Sequence, residues 1–294
     1  MVDILITGGA GVVGRSLCAE FAKSGLSVRV LTLPGDPNAF KLPKSVEVFY
    51  GDVTKPGSLS KAFEDVHTVC HLAAVILAKD RSSFEKINYQ GTANVIDACK
   101  NTGVKRLLYV SSISVTYPVL TDYGQSKLKG EALVKNSGIP FSIVRPTLVV
   151  EKTGGAEYML LVNYLKRTPF VFLPGGGTCL KRPVKTSDLV KGIALAATSE
   201  KALGNTYALA GSRVLSLAEM SRLTLLRMGK EKQILNIPLW FCSFASTLKQ
   251  IFIPGSVSAK QALAGFRYDA SPEIVDAAKD LGYLPGTPFD VRND

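Results

Sequence analysis

Short apolar runs alternate with longer stretches of helical spacing through the first half of this chain. Ile4–Thr7 has the length and composition of a buried strand, and Val13–Ser24 has helical spacing that stops at Gly25. Val28–Leu31, Val46–Tyr50 and Thr68–Leu72 repeat the strand signal. Phe84–Thr102 reads as a long helix with Gly103 just past its end. Leu107–Val110, a helix over Tyr123–Asn136 and a strand over Phe141–Val144 complete the series. Strand and helix in strict alternation build parallel βαβ units. Right-handed crossovers then give an α/β fold with a doubly wound parallel sheet.

The pattern loosens after Val150. Gly154-Gly155 and Pro174-Gly175-Gly176-Gly177 are loop signals. Ser187–Thr198 and Ser216–Met228 read as helices, with a strand over Thr206–Leu209 between them. The expected division is a nucleotide-binding domain over 1–150 and a smaller, discontinuous substrate region over 151–294, with 183–210 returning to the first domain. Trp240, Phe244, Leu248 and Ile251 recur at helical spacing. A stripe of this kind is expected to be core. A membrane-surface helix is the second reading, because the stretch from Gln233 to Pro254 carries one charge, Lys249.

With 294 residues and 46% hydrophobic content, the chain is long enough for a large core. Its five cysteines are scattered without a C-x-x-C pair, which points to reduced thiols. Two histidines, His67 and His71, are too few for a His-rich metal centre, so no metal is expected. The start carries no basic, signal-like segment and no run of 18 apolar residues follows, so a cytoplasmic protein is expected. The net charge of +11 is carried between Tyr158 and Tyr268, which hold 15 Lys/Arg against 4 Asp/Glu. Such a surface suits an anionic substrate or membrane, or is a plain basic surface. The positives are dispersed and no nucleic-acid motif accompanies them, so nucleic acid is not an expected partner.

Two motifs carry chemistry. Gly8, Gly11 and Gly14 form G-x-x-G-x-x-G between a strand and a helix. Glycines permit the tight turn and the close approach of pyrophosphate, and the helix N-terminus offers free N–H groups to it. The motif makes this a Rossmann fold. About a hundred residues later comes Tyr123-Gly-Gln-Ser-Lys127, which sets a phenol and an ammonium one helical turn apart. A nearby cation is expected to lower the phenol's pKa and fit it for proton transfer. At the end of the second strand, Leu31-Thr32-Leu33-Pro34-Gly35-Asp36 places neither an acid nor an arginine at the strand terminus, so NAD and NADP both stay open.

The order of these motifs resembles the extended short-chain dehydrogenase/reductase superfamily, in its NAD-dependent epimerase/dehydratase branch, over nearly the whole chain. Further markers are Gly51-Asp52-Val53-Thr54, His71-Leu72-Ala73-Ala74, Asn88-Tyr89-Gln90-Gly91-Thr92, Val110-Ser111-Ser112, Arg145-Pro146-Thr147 and Leu281-Gly282-Tyr283-Leu284-Pro285. The resemblance implies a catalytic set of Tyr123, Lys127 and Ser112. It implies cofactor contacts, with NAD as the expected cofactor and NADP as the alternative, from Gly8, Gly11, Val12, Val13, Gly14, Thr32, Asp52, Val53, Leu72, Ala73, Ala74, Ser111, Tyr123, Lys127 and Pro146. It also implies a homodimer built on Phe84–Thr102 and Tyr123–Asn136.

A small molecule is the expected substrate. A nucleotide sugar is the first reading, with Lys181 and Arg182 as candidate diphosphate ligands. A hydrophobic ring ketone, as in hydroxysteroid dehydrogenases and dihydroflavonol reductases, is the second, supported by Ser111-Ser112-Ile113 and the short loop before Tyr123. A non-catalytic dinucleotide-binding subunit is the third.

Overall fold

The computed structural model describes residues 1–78, 80–151, 155–244 and 263–289. Its centre is a seven-stranded parallel sheet. The strands are β1 (Val2–Thr7), β2 (Val28–Thr32), β3 (Glu47–Tyr50), β4 (Val66–His71), β5 (Arg106–Val110), β6 (Phe141–Pro146) and an edge strand, Thr206–Leu209. Their spatial order is the edge strand, β6, β5, β4, β1, β2, β3. The chain runs outward from β1 to β3, returns, and runs outward the other way from β4. The loops after β1 and β4 therefore part, and a crevice opens at the carboxyl ends of these strands. The α/β, doubly wound expectation holds.

Period-two alternation gives the sheet two apolar faces. Ile4 and Ile6 face Leu17 and Phe21 of α1 (Val12–Lys23), in one cluster with Ile193 and Ala196 of α6 (Thr186–Thr198). Leu5 and Leu107 face the other way, in a cluster with Phe63 of α2 (Ser60–Phe63), Val95 and Cys99 of α3 (Gly91–Thr102), and Val134 of α4 (Asp122–Lys135). Tyr207 of the edge strand, and Ala277 and Tyr283 near the end of the described chain, also pack into the α1/α6 face.

A third cluster lies apart. It joins Tyr158 and Leu165 of α5 (Ala156–Arg167), Val171, Leu173, Leu217 and Leu225 of α7 (Leu217–Arg227), and Phe289. The strand Val171–Pro174 pairs in parallel with Ile234–Ile237 above it.

Two local findings differ from the sequence reading. The helix over Phe84–Thr102 is π-wound from Phe84 to Gln90 before it becomes α3, and it stops at Gly103 with φ +71°. Wide turns of this kind recur where a helix serves a functional site. The apolar stripe is not core where it is described: Trp240 is 71% and Phe244 59% exposed. Leu248 and Ile251 lie outside the described residues.

Candidate active site

The turn after β1 is packed too tightly for side chains. Gly8 has φ +72°, and a Cβ there would lie 2.9 Å from the backbone of Ala73. A Cβ on Gly14 would lie 2.5 Å from the Gly8 carbonyl oxygen. These contacts draw the turn, α1 and the segment after β4 together. Gly11 caps α1, whose first turn, with Val12 and Val13, carries no acidic residue. The free N–H groups and the positive helix end are thus unopposed, and they fit a pyrophosphate.

Neighbouring loops line the same crevice. Oδ1 of Asp52 accepts from the Thr54 amide and hydroxyl at 2.9 and 2.8 Å, and Asn94 donates to the Val53 carbonyl at 2.8 Å. The Leu72 amide donates to the Thr7 carbonyl at 3.1 Å, which sets the course of Leu72–Ala74. Pro146 ends β6 beside Leu209. At the end of β2, the Thr32 hydroxyl donates to Asp36 Oδ2 at 3.0 Å. The fold thus brings a carboxylate to the strand end that the sequence reading left empty. Arg29 sits at the opposite end of β2, bonded to Glu47 and to the carbonyls of Ala62 and Glu64.

Between β1 and α3 runs a buried hydrogen-bond chain. His71 Nδ1 lies 2.7 Å from the Thr7 hydroxyl, and Nε2 lies 3.0 Å from the Thr92 hydroxyl. Thr92 in turn donates to the Asn88 carbonyl at 2.6 Å. That assigns the ring proton to Nε2, with Thr7 donating to Nδ1. Burial, with the positive charge of Lys127 nearby, pushes the His71 pKa down to about 3, so the ring is neutral. Asn88 is itself a brace. Its side chain takes the Val75 amide at 2.8 Å and donates to the Val75 carbonyl and the Ser126 hydroxyl, each at 2.9 Å. It thereby fixes α4, which carries Tyr123 and Lys127, against the loop after β4.

Helix α4 begins where Thr121 Oγ1 accepts from the Gly124 amide at 3.0 Å. Tyr123 lies in its first turn, partly exposed yet closely surrounded by protein. Burial drives the phenol's pKa up, the Glu157 carboxylate adds to the rise, and a hydrogen bond with Ser112 opposes it. The lowering expected from Lys127 is not found: burial of the phenol sets the direction, and the Lys127 ammonium sits over the Tyr109 ring instead. Lys127 is 2% exposed, with its ammonium 4.1 Å above the Tyr109 ring. Burial pulls its pKa down to about 7, against a smaller opposing effect of Glu131.

The two serines after β5 divide. Ser112 is next to Tyr123 and accepts from the Ser114 hydroxyl at 3.0 Å. Ser111 is turned away: its hydroxyl donates to Glu131 at 2.6 Å. Arg145 grips both oxygens of Glu131 at 2.8 and 2.7 Å. Burial works against ionisation of Glu131, but the bonds from Arg145 and Ser111 hold its pKa below the usual carboxylate range.

On the distal side, Lys181 is buried and donates to the Tyr268 carbonyl at 2.8 Å, with its ammonium 5.7 Å from the Tyr117 ring centre. Arg182 bonds the Gly211 carbonyl at 2.7 Å and the Pro272 carbonyl at 2.9 Å. Glu157, at the start of α5, completes this wall. Crowding by the protein raises its carboxyl pKa, and Lys181 opposes that rise.

Residues 5–135 match the 3-beta hydroxysteroid dehydrogenase/isomerase family. That match spans 131 of the 294 residues, the part that holds the glycine turn, Tyr123 and Lys127, and over it the chain is similar to this family. The chain is 25% identical to a chloroplastic divinyl chlorophyllide a 8-vinyl-reductase of Arabidopsis thaliana, over 93% of its own length and 70% of the relative. It is 30% identical to ceramide reductase of Caulobacter vibrioides over 56% of its own length and 52% of the relative. Among solved structures, UDP-glucuronic acid 4-epimerase from Bacillus cereus, in complex with UDP-glucuronic acid and NAD, superimposes with a TM-score of 0.76 at 23% identity. That match covers 97% of this chain and 95% of the epimerase.

Asp36, Asn88 with Ser126, Glu131, Tyr109 and Glu157 are absent from the sequence-derived set. Asp36 and Asn88 did stand in segments that the sequence reading singled out, Leu31–Asp36 and Asn88–Thr92. What they do depends on distant partners: Asn88 meets Ser126 38 positions away, and Glu131 meets Arg145 14 positions away.

Proposed function

We propose that this protein is an NAD(P)-dependent oxidoreductase acting at a secondary alcohol or ketone. The observation that carries the reading is that Tyr123 and Lys127 lie one turn apart on α4, which the Asn88–Ser126 bond ties to the loop after β4. A bound dinucleotide supplies or accepts the hydride. Tyr123 moves the matching proton, and Ser112 fixes the substrate oxygen. A phenol whose pKa is held high is protonated at neutral pH and poised to donate to a ketone oxygen as hydride arrives. Lys127 is the cation beside the reacting centre, and the Asn88–Ser126 bond orients the helix that carries it. Gly8, Gly11 and Gly14 hold the phosphates. Asp36 supports NAD over NADP, since a carboxylate at this place accepts from a ribose hydroxyl and repels a 2′-phosphate.

For the substrate, the UDP-sugar epimerase likeness supports a nucleotide sugar. Two features favour a neutral alcohol or ketone, and we place it first. Lys181 and Arg182 already hold backbone carbonyls, and Glu157 sets a carboxylate near Tyr123. A homodimer belongs to the same reading. Tyr89, Ala93, Ile96 and Leu133 line a groove of about 450 Å³ between α3 and α4, and light scattering tests whether a second copy fills it.

Thermal melts with NAD, NADP, UDP-sugars and neutral ring ketones test the ligands. A ligand at a hundredfold its Kd raises stability by about 2.7 kcal/mol. Tyr123→Phe is expected to lower kcat by about 10²–10⁴-fold with NAD affinity kept. Equal turnover in the variant overturns the enzymatic reading and leaves a binding module.

A further inference from the structure

The strand pair Val171–Pro174 and Ile234–Ile237 has one face in the distal core and one outside it. Val171 and Leu173 are buried with the core, at 0% and 1% exposure. The alternation turns Phe172 outward, 43% exposed, and the register sets Leu235 beside it. Phe170 precedes the first strand at 47% exposure. Beyond Ile237 the helical residues 239–244 add Trp240, Phe241 and Phe244, at 71%, 51% and 59%. Trp240 and Phe241 meet edge-to-face with ring centres 5.9 Å apart, and these exposed side chains make an apolar ridge along the strand pair and the helical residues that follow it. Ridges of this size on soluble surfaces mark interaction sites.

Three observations narrow the occupant. First, the outer edge of the strand is closed at its centre: the Tyr164 hydroxyl donates to the Phe172 carbonyl at 3.0 Å and accepts from its amide at 2.8 Å. Strand addition by a partner peptide is blocked there. Second, the ridge has a basic flank. Lys166 and Arg167 end α5 immediately before it, Lys230 is exposed, and Lys232 caps α5 by donating to the Leu165 and Thr168 carbonyls, each at 2.5 Å. One carboxylate, Glu231, stands among these four cations. Third, the chain as a whole carries +11, so a second copy meets like charge at this flank.

We propose that this ridge docks on an anionic phospholipid surface, with Trp240, Phe241 and Phe244 entering the headgroup boundary and the basic flank facing the lipid phosphates. Tryptophan and phenylalanine beside lysine and arginine is the composition that an interfacial site requires. None of these residues belongs to the proposed catalytic or cofactor-binding set. The ridge concerns where the protein sits, whatever the enzyme turns over.

Trp240 is the chain's one tryptophan, so its emission reports this surface in the unaltered protein. The expected result is long-wavelength emission in dilute solution, shifting to shorter wavelength on vesicles of phosphatidylglycerol and phosphatidylcholine. Phosphatidylcholine alone, or high salt, is expected to weaken the shift at least about tenfold. The double variant Phe241→Ser/Phe244→Ser, with Trp240 retained, is expected to lose about tenfold in vesicle affinity at an unchanged melting temperature. An unshifted spectrum on anionic vesicles overturns the proposal, as does an equal shift on neutral ones. So does a shift that follows protein concentration without lipid, which assigns the ridge to a second copy. Short-wavelength emission at all dilutions, which means the chain covers its own tryptophan, overturns it too.

Discussion

Gly8, Gly11 and Gly14 sit within seven consecutive positions and shape the cofactor side of the crevice by their own contacts. Tyr117, Glu157, Lys181 and Tyr268 share the distal wall, yet they come from four separate segments between positions 117 and 268. The first side is a motif; the second is an assembly. The same contrast holds for charge. Beneath the cofactor side, Glu131 is buried and partnered by Arg145 and Ser111. On the distal side Arg182 pairs with Glu273, whose side chain is 83% exposed. A buried pair is costly to break, whereas an exposed one is screened by water.

The largest test of this contrast is Arg145→Ala. It leaves the buried Glu131 carboxylate with only the Ser111 hydroxyl and, at 3.9 Å, the Lys135 ammonium, and chemical denaturation is expected to show a loss of about 3 kcal/mol. Glu273→Gln on the distal side is expected to change stability by less than about 0.5 kcal/mol. Equal effects would break the comparison.

Next is Gly14→Ala, whose new methyl meets the Gly8 carbonyl and the Gly9 backbone. A loss of about 1–3 kcal/mol is expected, together with weaker NAD binding by calorimetry. Gly265→Ala, where a Cβ meets nothing within 4 Å, is expected to leave the melt unchanged or slightly raised.

The third test is acid. His71 has a folded pKa near 3, against 6.5 for an unperturbed histidine. The unfolded chain therefore takes up the proton first. The stability that His71 contributes is complete above about pH 6.5 and declines as pH falls towards about 3. Denaturation curves at pH 7, 5 and 4 are expected to follow this fall, and His71→Asn should flatten it. A slope unaltered in the variant would assign the acid sensitivity elsewhere.

The smallest effect is expected at Glu157. Replacing it with Gln removes the carboxylate whose charge raises the Tyr123 pKa and should lower KM for anionic compounds a few-fold, about the scale of one partly screened charge. Neutral substrates should change less. The opposite ordering would favour the nucleotide-sugar reading.

Much of the first half was legible because a strand, a glycine turn and a helix are local objects. Every helix and strand named before Val150 is present, with ends moved by a few residues. The spacing of Tyr123 and Lys127 also placed both on one helix, as expected. Their electrostatics were less legible. Whether a cation or desolvation dominates a phenol depends on what surrounds it, and no spacing rule reports that. Ser111 and Ser112 looked interchangeable in sequence, and only the position of Glu131 separates them. Trp240 and Phe244 looked like core because helical periodicity identifies an apolar face without saying what it meets.

The sequence alone determined the alternating strands and helices, the glycine turn and the phenol–ammonium spacing, since each is written in a short stretch of residues. The tertiary structure alone decided which carboxylate stands at the end of β2, which serine faces Tyr123, and that Lys181 is bound to a backbone carbonyl. It also decided that the aromatic ridge faces outward. Burial and long-range hydrogen bonding set these outcomes, and both arise only when distant segments meet.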